Sequence, residues 1–210
     1  MLFRLPIDVL ILLLPTLLFA LCFHEYSHAW MAYKLGDPTA ARNGRLSLNP
    51  MAHLDPVGSL MILFVGFGWA KPVPVDPRYF ANPRTDMMKV AFAGPASNIL
   101  LALISGLAIR FLNISQINPG QTVATLLYFF TYINIALAVF NMIPIPPLDG
   151  SQIFSNIMIQ KYPQLVYKMQ AYGPQILMGI IIFGMVTNFR ILSFIMNPFI
   201  SLFLAIFAGL

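Results

Sequence analysis

IDVLILLLPTLLFALCFHEYSHAWMAY, running from Ile7 to Tyr33, decides how this chain is read. The run is long enough to cross roughly 30 Å of hydrocarbon as a helix. Pro15 is placed to kink it. Near its end stands His24-Glu25-Tyr26-Ser27-His28, an H-E-x-x-H pattern. On a helix, positions i and i+4 share a face, so His24 and His28 can hold one metal ion together. Glu25 lies beside them and is the only glutamate in the chain. The pattern is known for zinc-dependent hydrolysis of peptide bonds, and Glu25 can reach a water on such a metal. The plainer reading is two surface histidines on an amphipathic helix.

Composition places the chain in a bilayer. It is 59% hydrophobic and 9% charged, with a mean hydropathy of +0.78. A soluble domain carries about 25% charged residues. The 210 residues suit one domain-sized unit, 1–210. The single cysteine, Cys22, cannot form an internal disulfide. The net charge of +5 does not indicate nucleic acid, because the basic residues are spread between apolar runs as a membrane orientation signal would be.

The remaining segments fit a mainly α, polytopic membrane protein. Residues 34–56 are polar and rich in turn signals, and 42–48 suggest a short hairpin around Asn43-Gly44. Residues 57–70 are apolar but too short for an easy crossing, which suits a re-entrant segment. Residues 71–80 carry Pro72 and Pro74 and read as an extended, edge-like strand. Long apolar helices are expected over 87–112 and 122–143, a short helix over 151–159, and one or two further membrane helices over 175–187 and 191–210. If 57–70 does not cross, nine basic residues fall on one side. Arg4, Arg110 and Arg190 fall on the other. By the positive-inside rule the nine-residue side is cytoplasmic, and His24 and His28 lie toward it.

A catalytic zinc takes three protein ligands and leaves one position open. No second glutamate exists to supply the third, and the extended H-E-x-x-H-x-x-G-x-x-H pattern meets Met31 and Lys34 instead of Gly and His. His53 and the aspartates remain. Asp37, Asp55 and Asp76 precede proline, which is turn chemistry. Asp86 can serve near a helix N-terminus. Asp149 lies between apolar residues, where an ionisable group is costly without a partner. Its plainer role is a helix N-cap.

Three motifs together resemble the site-2 protease family of intramembrane zinc metalloproteases: H-E-Y-S-H at 24–28, A-G-P-A-S-N at 93–98 and N-M-I-P-I-P-P-L-D-G at 141–150. N-P-M-A-H-L-D-P-V-G and F-G-W-A-K-P-V-P-V resemble its small prokaryotic members. The resemblance implies that His24, His28 and Asp149 bind Zn2+ and that Glu25 is the base. It also implies a three-helix catalytic core, here about 7–160, with an extended segment between its first two helices and accessory helices over about 170–210. Nothing resembles an inserted PDZ domain or a C-terminal CBS pair.

The implied partners are transmembrane protein substrates in a prokaryotic cell membrane, cut near the cytoplasmic face. Asn98 and Asn141 are candidates to stabilise an oxyanion, with helix pairing as their plainer role. His53 is a candidate to line the site. Residues 42–48 and 71–76 can receive an unwound substrate as an added strand. The rival classes are a membrane zinc carrier or sensor, which needs no glutamate beside the metal, and an inactive scaffold.

Overall fold

The computed structural model describes residues 6–65, 68–187 and 189–210. The chain opens with α1 (Ile7–Lys34), an uninterrupted helix in spite of Pro15. Three short helices follow: α2 (Thr39–Arg42), α3 (Pro50–His53) and α4 (Pro56–Val65). Then come α5 (Pro83–Ile114), α6 (Gln121–Asn141), α7 (Asp149–Met158), α8 (Pro163–Thr187) and α9 (Ile191–Ala208). Five of these, α1, α5, α6, α8 and α9, are long and apolar enough to cross a membrane. Among the described residues the only β pairing is one antiparallel bridge between Leu54 and Ala70.

The bundle turns large apolar side chains outward, as lipid allows, and buries several polar ones among small and apolar residues. Asn98, Thr131 and Asn134 are fully buried, while Ile104, Leu107 and Phe111 of α5 are exposed. Asn98 donates to Asn134 Oδ1 at 2.8 Å, and Thr131 donates to Ser105 Oγ at 2.8 Å. Between lipid-embedded helices, such bonds and small residues replace the hydrophobic effect. Ala20, Ala29, Ala32 and Ala102 line the buried faces accordingly.

The contacts fix the helix directions. His24 meets Asn98 while His28 meets Val90, so α1 and α5 are antiparallel. The Asn98–Asn134 and Ser105–Thr131 pairs make α6 antiparallel to α5. Ile200 packs with Ala102 and Ile135. Phe207 meets Gly106, and Arg110 donates to Ile206 O. Helix α9 therefore runs parallel to α5. Ile191 lies nine residues before Ile200, about 14 Å back along the axis at 1.5 Å per residue. That places the start of α9 near the level of Gly94.

This geometry corrects one expectation. Arg190 caps the start of α9 while Arg110 donates to Ile206 O near its end, so the two arginines lie at opposite ends of that helix and do not share one side.

Residues 66–67 lie outside the described residues, but the two ends of the excursion over 57–70 meet. It begins and ends at one place, since Leu54 pairs with Ala70 and Lys71 N donates to His53 O at 2.8 Å. Gly58 allows this return, because a Cβ there would lie 2.1 Å from Trp69 O.

The hairpin expected over 42–48 is absent. Asn43-Gly44 instead stops α2: Gly44 takes φ 67°, Gly44 N donates to Ala41 O and Arg45 N donates to Ala40 O. Those two bonds are the Schellman pattern. The same dipeptide supplies positive φ to either structure, and here the helix takes it.

Single cysteines placed at Arg42, Arg84 and Arg190 in a Cys22→Ser background should label from one side of the membrane and a cysteine at Arg110 from the other. Labelling of position 190 together with 110 would contradict the placement of the two arginines at opposite ends of α9.

Candidate metal centre

Three side chains, two from one helix and one from a helix start, converge at the inner side of α1. One turn of helix brings His24 and His28 together, with Nε2 atoms 3.0 Å apart. Asp149 opens α7, where a carboxylate complements the positive end of the helix dipole. Its Oδ2 lies 3.1 Å from His24 Nε2 and 3.3 Å from His28 Nε2. Helix α7 comes this close because residue 150 is glycine: a Cβ there would lie 2.2 Å from Met142 O. At the other end of α7, Arg84 donates from Nε to Asn156 O.

The protonation of both rings follows from their other nitrogens. His28 Nδ1 faces Val90 O at 2.7 Å, and a carbonyl can only accept, so Nδ1 carries the hydrogen. His24 Nδ1 faces Asn98 Oδ1 at 2.6 Å. The Asn98 amide nitrogen donates to Ala20 O and Asn134 Oδ1, which makes Oδ1 the acceptor and His24 Nδ1 the donor. Both Nε2 atoms of the neutral rings are thus bare lone pairs aimed at a carboxylate oxygen. Three lone pairs meeting without a donor repel one another unless a cation sits between them. Tetrahedral ligands at bonds of about 2.0–2.1 Å stand about 3.3 Å apart, which is close to the spacing found here. The donor set fits a divalent metal.

These three side chains and Glu25 line a cleft of about 520 Å³ between α1, α5, α6 and the non-helical residues 68–75. Its far wall includes Asn141, Pro147 and Leu148, and Leu177 of α8 closes one side.

Of the other candidate residues, only Asn141 lies in the cleft, with its amide also donating to Leu137 O at 3.0 Å. Asn98 is not free to bind an oxyanion, because both its N–H groups and its oxygen are committed to orienting His24 and holding α1 to α6. His53 does not line the cleft. It is 1% exposed, with Nε2 on Ser47 O at 2.6 Å. Asp86 is spent locally on Lys89 and Asn82 N.

Sequence reasoning missed Asn134, Gly94 and the Val90 carbonyl. Asn134 had a signal, as an amide in an apolar run. Gly94 had one in the break it makes beside Pro95. A Cβ on Gly94 would lie 2.4 Å from His28 Nε2 and 2.6 Å from His24 Nε2, so glycine lets α5 pass behind the rings. A backbone carbonyl leaves no trace in a sequence.

The model of peptidase family M50 matches residues 109–185. YwhC of Bacillus subtilis is 38% identical over 172 residues, which cover 80% of this chain and 78% of YwhC. Rip2 of Mycolicibacterium smegmatis is 31% identical over 150 residues, 69% of this chain and 56% of Rip2. Both relatives carry the names of candidate zinc metalloproteases. No solved structure matches the chain. The chain belongs to peptidase family M50, the site-2 protease family.

Two substitutions test the centre without touching a ligand. Asn98→Ala should weaken metal binding about 10- to 100-fold, the usual effect of losing a ligand's hydrogen-bond partner. Gly94→Ala should do so by crowding both rings, while the protein still folds. Competition against a chelator of known affinity measures both. Unchanged affinity in Gly94→Ala would show that the rings have room to move aside.

Proposed function

We propose that this member of peptidase family M50 is a zinc-dependent intramembrane endopeptidase, with His24, His28 and Asp149 as the metal ligands and Glu25 as the general base. The observation that carries the reading is the convergence of three bare ligand atoms beside Glu25 in a cleft enclosed by membrane helices. A carrier or sensor would use the same ligands, but would gain nothing from the chain's only glutamate standing at the metal.

When bound, the zinc supplies a Lewis acid for the scissile carbonyl and lowers the pKa of water. Glu25 takes the proton lost by the attacking water and passes it to the leaving amine as the C–N bond breaks. Asn141 has an N–H to offer the developing oxyanion, because its amide spends only one of two on Leu137 O. Asn98 and the Val90 carbonyl hold the two imidazoles in the tautomer that leaves Nε2 free for metal.

The substrates we propose are transmembrane helices. An intact helix hides its peptide groups in its own hydrogen bonds, so a substrate must open locally before it is cut. Residues 70–75 run extended along the cleft. Pro72 and Pro74 have no N–H, but Val73 and Val75 keep theirs and can pair with an opened chain as an added strand. The nine basic residues grouped toward the end where α5 begins support a cytoplasmic placement of the site.

The test is cleavage of a model transmembrane substrate by purified protein in lipid. Glu25→Gln should lower the rate by about 10²–10⁴ and leave zinc bound. Asp149→Ala should lose both zinc and activity, and a chelator should inactivate the wild type until zinc is restored. Near-normal turnover by Glu25→Gln would remove the proposed base.

A further inference from the structure

We infer that Arg45 and Asp37 are positioning residues, two buried clamps that hold residues 71–76 as a fixed wall of the cleft and so set where a substrate lies relative to Glu25; this rests on the protease reading above. Apart from the bond from Lys71 N to His53 O and the packing of Val75 against Ala32, Phe80 and Val90, the wall has few anchors of its own. Among the described residues its β pairing is limited to the Leu54–Ala70 bridge, and its two prolines cannot donate to a ladder. Yet Pro72, Val73 and Val75 line the cleft.

Arg45 grips one end. It is 4% exposed, and its guanidinium donates from Nη1 to Pro72 O at 3.0 Å and from Nη2 to Lys71 O. Asp37 grips the other end. It is fully buried, with Oδ2 accepting from Asp76 N at 2.8 Å and Oδ1 from Thr39 N at 2.9 Å. Neither charge is in an ion pair among the described residues, and the Nε of Arg45 is buried without a partner. Burying an unpaired charge is costly, and an apolar side chain would fill the same space more cheaply. What the charges obtain for that cost is a fork on two adjacent carbonyls and an acceptor for one amide, contacts no apolar residue makes. Both residues also sit on the loop that leaves α1, the helix carrying His24, Glu25 and His28. The wall is thereby tied to the base through a short stretch of buried chain. A displacement of about 1 Å in a bound substrate can cost about 10²-fold in rate.

The experiment compares wild type, Arg45→Lys, Arg45→Gln and Asp37→Asn in lipid by zinc content, hydrogen exchange of residues 69–76, and cleavage of a model transmembrane substrate with the products located by mass spectrometry. With zinc retained, Arg45→Gln should exchange faster at Val73 and Val75, raise KM about tenfold and cut at neighbouring bonds besides the wild-type one. Arg45→Lys should fall between, since an ammonium reaches one carbonyl but does not fork. Asp37→Asn should loosen the Asp76 end and serves if Arg45→Gln does not fold. A variant that exchanges like wild type, or that loses rate with KM and cleavage position unchanged, would overturn the inference. If the wild type cuts nothing, the protease reading fails by itself, and the exchange measurement still decides whether the clamps exist.

Discussion

Two imidazole lone pairs and a carboxylate oxygen are pressed to within about one metal-ligand spacing of each other, and no donor stands among them. Most of the fold can be understood as what is needed to sustain that. The rings need their Nδ1 hydrogens occupied, which Val90 O and Asn98 do. Asn98 in turn needs acceptors for its amide hydrogens, and finds them on α1 and α6. A metal ligand, its support and that support's own partners thus join three helices in one buried network. Such a network is costly when only part of it is satisfied, which is why its members are best understood together.

The membrane environment explains where the remaining polarity went. Peptide groups in lipid must be satisfied internally, so irregular backbone is tolerated there only when protein covers it or when it borders a cavity. Residues 54–76 obey this rule. The excursion returns on itself at Leu54 and Ala70, and the extended part beyond it borders the cleft. Helix α8, whose apolar length suits lipid, contributes Leu177 to the cleft.

The legible parts of this protein were those where spacing or exclusion carried information. The H-E-x-x-H spacing, the absence of a second glutamate and the cost of Asp149 in apolar surroundings all survive translation into coordinates. The long apolar runs became helices, and the two ends of the short one over 57–70 meet. What the sequence could not carry was competition between structures that want the same residues. Asn43-Gly44 suits a hairpin and a helix stop equally, and only the packing of Arg45 inward decides. Asn98 suits an oxyanion donor or a ligand support, and only its neighbours use up its hydrogens. The separation of Arg190 from Arg110 depended on α9 packing parallel to α5, a tertiary fact with no local signature. His53 looked accessible because its loop is polar, but it is buried against Ser47 and Arg45.

The account rests on one ion held by His24, His28 and Asp149. X-ray absorption at the zinc edge of the purified protein measures that shell directly. The predicted result is a shell of nitrogen and oxygen at about 2.0–2.2 Å with the outer scattering of two imidazoles. A sulfur shell at about 2.3 Å, which would bring in Cys22, or a third imidazole, which would bring in His53, would contradict it.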